Sequence, residues 1–352
     1  MKTHSLFSIF LLLFVLLTGC SSGGGGSLLP QGTGNAYEAV VVLDRNLWNS
    51  KAGSAIRDEL RASIPGLPQP EVAFKISEVY PQVFNGLLRY AKNIMVVNID
   101  PASFTMVSLK YDQNLWAQNQ MILSLNAPDE DSVVEYLNRR SGVVVDFFTR
   151  AEMNRAIRLL EKTYSSSMSN KLFDKYEIRL NLPTDMTSYR DTTDFFWVSN
   201  NANTGLTNVV VYTFPFTDSD TFTIDYLINK RDSVLKENLP GSFPNSYMAT
   251  EVRGDIFYEP ITLHGKYCGV MRGLWKMVGD MMGGPFVSHV RLDEKNNRIV
   301  VVEGFVYAPE TEKRNLMRRI EAALYTLRLP GEYDIPISES MAANREEINT
   351  TN

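Results

Sequence analysis

Residues 266–310 read KYCGVMRGLWKMVGDMMGGPFVSHVRLDEKNNRIVVVEGFVYAPE. Two apolar runs, 286–292 and 299–307, flank the charged turn Asp293-Glu294-Lys295-Asn296-Asn297. Short apolar runs joined by a polar turn predict an antiparallel hairpin. The second run is apolar at odd and even positions alike, so both of its faces are expected to be covered, in the middle of a sheet. Ala308-Pro309-Glu310 ends it. Residues 311–328 then place Leu316-Met317, Ile320, Ala323-Leu324 and Leu327 on one helical face, with the pairs Glu310/Arg314 and Arg318/Glu321 suited to a solvated face.

A shorter version of the same order stands earlier: Lys110-Tyr111, Leu115-Trp116, an apolar run at 121–125, then Ala127-Pro128-Asp129 and a helical pattern. Arg57-Asp58 before Pro65-Gly66 is matched by Arg231-Asp232 before Pro240-Gly241. Ordered echoes of this kind predict a duplicated unit. Strand patterns fall at 37–43, 93–99, 105–109 and 120–125, with helical ones at 50–63, 132–141 and 143–164. After the serine-rich joint 165–170, strands are expected at 176–182, 195–198 and 209–216, and a helix at 223–238. The expected fold is α+β, with two related halves, each mostly antiparallel sheet with helices packed on one face. The halves span 35–165 and 171–330, and 331–352 reads as a polar C-terminal tail.

The N-terminus sets the compartment. Lys2 precedes a run at 6–17 that is apolar apart from Ser8, shorter than the roughly 18 residues that cross a bilayer, so it reads as a signal-peptide core. Leu17-Thr18-Gly19-Cys20 resembles the bacterial lipobox, in which small residues precede a cysteine that takes acyl chains such as palmitate. Residues 1–19 are therefore the expected signal peptide and Cys20 the lipidation site. Burying acyl chains contributes about 0.8 kcal/mol per methylene, so two chains contribute on the order of 20 kcal/mol. Residues 20–34, with Ser21-Ser22-Gly23-Gly24-Gly25-Gly26-Ser27, read as a flexible tether.

With Cys20 lipidated, Cys268 has no partner within the chain, and its apolar setting reads as a small core residue. The formal net charge of −5 offers no phosphate-binding field, so no nucleic acid partner is expected. His264 and His289 belong to no metal-ligand spacing, and neither a metal nor a cofactor is expected. His289 alternates onto a strand face beside Arg291 and reads as a sheet-surface residue. Gly283-Gly284-Pro285 reads as a tight turn ahead of a strand.

Glu303 is the most unusual charge, since a carboxylate in a doubly covered strand must be paired, protonated or facing a cavity. Gly304 beside it suggests a bulge that would turn it outward. Arg272 and Asp280 stand among Trp275, Met277, Met281 and Met282, a mixture suited to an adaptable cleft. Arg272, Trp275, Asp280 and Glu303 are thus the candidate ligand-cleft residues, and no catalytic constellation is read.

Several landmarks resemble a family of Bacteroidota lipoproteins that carry a domain of unknown function, the DUF4837 type. They are Ile64-Pro65-Gly66-Leu67-Pro68-Gln69-Pro70, Arg231-Asp232-Ser233, Ser246-Tyr247-Met248, Arg272-Gly273-Leu274-Trp275, Gly283-Gly284-Pro285-Phe286-Val287-Ser288 and Glu303-Gly304-Phe305-Val306-Tyr307-Ala308-Pro309. The resemblance covers residues 35–328 and implies a Gram-negative envelope lipoprotein without an assigned activity. In that lineage acidic residues after the lipidated cysteine signal surface export. Residues 21–27 contain none, which implies the periplasmic face of the outer membrane. The opening of the second half resembles PsbP-type sandwich domains. The expected function is a membrane-anchored periplasmic binding or scaffold protein, contacting an envelope partner through a groove between the halves. The alternative is an envelope hydrolase using the carboxylates Glu303 and Asp280.

Overall fold

The computed structural model describes residues 29–335; the signal segment, Cys20 and the tail beyond 335 lie outside them. The first unit runs β1 (Glu38–Val42), α1 (Arg45–Trp48), α2 (Lys51–Leu60), β2 (Lys75–Val79), β3 (Asn93–Ile99), β4 (Ser108–Gln113), β5 (Met121–Ala127), α3 (Glu130–Arg139) and α4 (Val143–Lys162). Its sheet has the order β2-β1-β3-β5-β4. Strand β1 is parallel to β2 and β3, and β3 is parallel to β5; only β4 runs antiparallel. The expectation of a mostly antiparallel first half is thereby corrected. Two helices separate β1 from β2, and a crossover of that length returns a strand in the same direction. Strand β2 escaped the sequence reading because Lys-Ile-Ser-Glu-Val is mostly exposed on a sheet edge.

Trp48, Ile56, Leu60, Val133, Leu137, Phe147 and Phe148 pack from the helices onto one face of this sheet. The short helical turns Pro81–Val83 and Gly86–Tyr90 cover the other, where Phe84 and Trp116 pack over Val42, Ile94 and Ile122.

The second unit runs α5 (Ser166–Tyr176), β6 (Ser188–Thr192), β7 (Phe195–Ser199), β8 (Leu206–Pro215), α6 (Ile224–Asn238), β9 (Tyr247–Thr250), β10 (Phe257–Leu263), β11 (Lys266–Val278), β12 (Gly283–Asp293), β13 (Arg298–Tyr307) and α7 (Arg314–Leu324). Its order is β10-β11-β12-β13-β8-β7-β6, with β9 beside β11. Every pairing is antiparallel. The hairpin expected at 286–307 is β12 and β13, in the centre.

Here the helices occupy both faces, not one. Helices α5 and α7 and the second half of α4 pack against Val209, Val211, Val287, Val300 and Val302. Helix α6 packs against Val210, Tyr212, Ile299, Val301 and Phe305. Strands apolar on both faces require both covers. The two sheets differ in strand direction and order, so the echoes are recurring punctuation and not a duplicated fold. Ala127-Pro128 and Ala308-Pro309 each mark a strand-to-helix exit. In the first, the Asp129 carboxylate accepts from Ser132 N at 2.8 Å as an N-cap.

Helix α4 joins the units. Val144, Phe147 and Phe148 enter the first core, and Met153, Ile157 and Leu160 enter the second. The serine-rich joint is the start of α5, with Ser165 as its N-cap. Glu71 of the first unit accepts from Lys313 N at 2.8 Å and Arg314 N at 2.9 Å, capping α7 of the second.

Both expected terminal segments are shorter than read. Gln118 N donates to Pro30 O at 2.8 Å and Gly32 N to Gln118 O at 3.0 Å, so the tether is already docked before Gly34. At the other end Glu332 accepts from Arg291 Nη1 at 2.8 Å and Nη2 at 2.6 Å, so the fold runs past 331.

Candidate functional site

Neighbouring strand residues face opposite sides of a sheet, and this divides the four candidate residues. Arg272 lies on the α7 side, where its Nη2 donates to Glu321 Oε1 at 2.5 Å. Burial alone would raise the Glu321 carboxyl, but Arg272 and Arg318 outweigh it and hold it at about 2. Glu321 is 2% exposed, so the Arg318/Glu321 pair read as solvated is part of the interior.

Trp275 and Glu303 lie on the α6 side. Glu303 is fully buried and accepts from Arg231 Nε at 2.9 Å and Nη2 at 2.7 Å, and from Ser288 Oγ. Arg231, equally buried, stacks 3.9 Å from the centre of the Phe286 ring and donates to Thr250 Oγ1 at 2.9 Å. Glu303 is a structural ion-pair residue in a dry network.

No bulge turns Glu303 outward: Gly304 pairs in unbroken register with Val287 and Val209. Its missing side chain admits α7 instead, since a Cβ there would stand 2.1 Å from Ile320 Cγ2. Gly283-Gly284-Pro285 likewise begins β12 and makes no turn. At Gly284 a Cβ would meet Val306 O at 2.1 Å and the Trp275 indole nitrogen at 3.0 Å, so this glycine lets the indole reach across to Val306 O. The turn is earlier, at Gly279, whose φ is +78°.

His289 corrects another expectation. It is fully buried and edge-on to Tyr325, with ring centres 4.7 Å apart, and neither ring nitrogen has a partner. Cys268 is buried as expected, and burial pushes its thiol up to about 12.

The cleft forms where α6 ends. The helix covers its sheet face as far as Asn238, and the chain then leaves through Leu239, Pro240, Gly241 and Ser242. Beyond that point the sheet lies open in a cavity of about 240 Å³ walled by Trp197, Trp275, Phe305, Tyr307, Met248 and Met282. Trp275 is packed by its Nε1–H bond to Val306 O at 3.2 Å and by an edge contact with Phe305. Asn208 also lines the cavity: its Oδ1 accepts from Trp197 Nε1 at 3.0 Å, while its fully buried Nδ2 has no partner. Asp280 does not line the cavity; it holds the rim residue Ser242, accepting from Ser242 N at 3.3 Å and from Met281 N at 2.6 Å. Of the four candidates, only Trp275 lines this cleft; Asp280 stands behind Ser242 of its rim, Glu303 is sealed below the same face, and Arg272 is behind the sheet. Trp197, Asn208 and Tyr307 were not singled out, because only the end of α6 decides which strand residues stay uncovered.

A second concavity of about 240 Å³ lies between the units, lined by Ile64, Pro65, Gly66, Arg272, Arg314 and Glu321 among others. Its cations are engaged: Arg272 holds Glu321, and Arg314 Nη1 donates to Val72 O at 2.8 Å. This groove is a polar seam that joins the units. Among the described residues no group of three His, Cys, Asp or Glu side chains is placed to hold a metal.

The molecule is an α+β protein of two unlike sheet units sharing one helix, with an aromatic and methionine cleft in the second. Residues 165–326 match the model of the domain of unknown function DUF4837, and the second unit is a DUF4837-type domain. Residues 32–161 match a separate domain of unknown function, DUF8532. No curated protein matches. Among solved structures, the Ran-binding protein Mog1p of Saccharomyces cerevisiae is similar over 43% of this chain and 89% of its own, at 8% identity and a TM-score of 0.29. A mutant of protein Mog1 aligns over the same share of this chain at 10% identity, covering 90% of its own length, with a TM-score of 0.28. A protein from Bacteroides thetaiotaomicron is similar over 44% of this chain, at 13% identity and a TM-score of 0.24. This chain covers 46% of that protein's length.

Proposed function

We propose that the chain is a lipid-anchored binding protein of the bacterial envelope, held through acylated Cys20 at the periplasmic face of the outer membrane. The leader and lipobox support the anchor. The observation that carries the binding role is the buried Asn208 Nδ2, an unpartnered donor inside an aromatic cleft. A buried donor without an acceptor costs about 1–3 kcal/mol, and a ligand oxygen admitted by a small shift of the side chains covering it would recover it. The ligand this selects has an apolar body that packs against the indoles and methionines and a single carbonyl or ether acceptor.

The test uses the chain begun at Ser21, titrated with a coumarin, an apolar bicyclic ring with a carbonyl, while tryptophan emission is followed. Saturable quenching is expected. Ser242→Trp, at the exposed rim, is expected to weaken it at least about tenfold, a change of ~1.4 kcal/mol, by filling the mouth. Equal binding by both forms would remove the cleft as the site.

The hydrolase reading requires Glu303 to be free, whereas its carboxylate is held by Arg231 and Ser288. Glu303→Gln is expected to lower stability by about 3–5 kcal/mol, because it leaves Arg231 buried and unpaired. Loss of a hydrolytic activity at an unchanged melting temperature would reinstate the carboxylate mechanism.

A further inference from the structure

The described end of the tether docks on one loop surface of the first unit. Gln118 Nε2 donates to Leu29 O at 2.9 Å, Thr33 N to Tyr90 O at 2.7 Å and Lys92 N to Thr33 O at 3.0 Å. The chain from Cys20 therefore enters the fold between the 81–92 segment and the 114–120 loop. Nine Cα-to-Cα steps separate Cys20 from Leu29, and at about 3.6 Å each they span at most ~32 Å whatever their path.

Beside that entry point the surface is apolar. Leu87 is 79% exposed, Val83 53% and Leu115 50%. The two loops bearing them form one surface: Phe84 and Trp116 meet edge to face at 5.7 Å, and Arg89 stacks 5.5 Å from the Trp116 ring. Residues 29–35, 81–92 and 114–120 contain no Asp or Glu in a chain that has 40, and their only charges are Arg89 and Lys92. Apolar side chains flanked by Trp, Tyr and basic residues, without carboxylates, suit a headgroup interface that carries anionic lipid.

We infer that the face formed by residues 81–92 and Leu115 docks on the bilayer, with Leu87, Val83 and Leu115 entering the lipid interface beside the anchor. This rests on the proposed acylation of Cys20. The body is then oriented by two attachments, an acyl chain and an apolar loop.

The experiment uses the full lipidated chain carrying Leu87→Cys, labelled with a nitroxide, in vesicles of phosphatidylethanolamine and phosphatidylglycerol. Cys268 is fully buried, so the new thiol is the one that reacts. Val252→Cys, at a position 63% exposed in the second unit, is the control. Collisions with oxygen, which concentrates in lipid, are compared with collisions with a water-soluble nickel chelate. The expected oxygen-to-nickel ratio at position 87 is at least about fivefold that at 252. Equal ratios, with acyl mass found on Cys20, would overturn the docking and leave the anchor standing. Shielding from both reagents would show a protein covering the face and would also overturn it. Absence of acyl mass on Cys20 would overturn anchor and docking together.

Discussion

Glu303, Glu321 and His289 show how a buried sheet and the helix packed on it handle polar residues, by pairing two and neutralising one. Burial pushes the His289 imidazole down to about 3 from 6.5; Glu321 opposes this, and Arg272 and Arg291 add to it. The folded state keeps the ring neutral while the unfolded chain takes up a proton near pH 6.5. Stability is therefore full above 6.5 and falls as pH drops from 6.5 toward 3. Glu321 acts lower: its stabilisation is full above 4.5 and is lost as pH falls toward 2. His289→Leu is expected to make the fall in melting temperature below pH 6.5 shallower without abolishing it, since burial lowers His264 from the same 6.5; the comparison is made well above 4.5, where Glu321 is ionised in both states. An unchanged slope would assign the acid sensitivity elsewhere. The sequence showed that Glu303 was out of place in an apolar strand. It did not show its partner, because Arg231 is 72 residues away on α6.

At the scale of elements, the helices are closed by whatever lies nearest, local or remote. Helix α3 is capped by its own Asp129, a signal visible in Ala127-Pro128-Asp129. Helix α7 follows the matching Ala308-Pro309-Glu310, yet its amides are capped by Glu71 from the other unit. Glu71→Ala is expected to destabilise by about 1–2 kcal/mol, the upper end of cap losses, since two amides lose an anionic acceptor. Asp129→Ala is expected to cost about 1 kcal/mol. Chemical denaturation checks both, and amide exchange at Lys313 and Arg314 should quicken only in the first variant. Hairpins and helix faces were legible because their periods repeat within a few residues. Strand direction in the first sheet was not, because it depends on where each crossover lands.

Across the whole molecule, α4 ties the two cores together, so neither unit can lose its packing alone. The expected behaviour is a single thermal transition with calorimetric and van't Hoff enthalpies equal. Phe148→Ala in the first core and Ile157→Ala in the second should each remove about 2–5 kcal/mol and move that one transition as a unit. Two separated transitions would mean that the units fold independently.

Order along the chain by itself determined the α+β class, the central hairpin at 286–307, the buried Cys268 and the need of Glu303 for a partner. Each of these follows from side-chain pattern over a short span, where neighbours in sequence are neighbours in space. Only the tertiary structure decided that Arg272 and Trp275 stand on opposite faces, that α6 stops short and leaves buried Asn208 in the wall of a cleft, and that the tether docks beside the 81–92 segment. Those facts depend on which distant segment covers a given patch, and the free energy of covering it is shared between residues far apart in the chain.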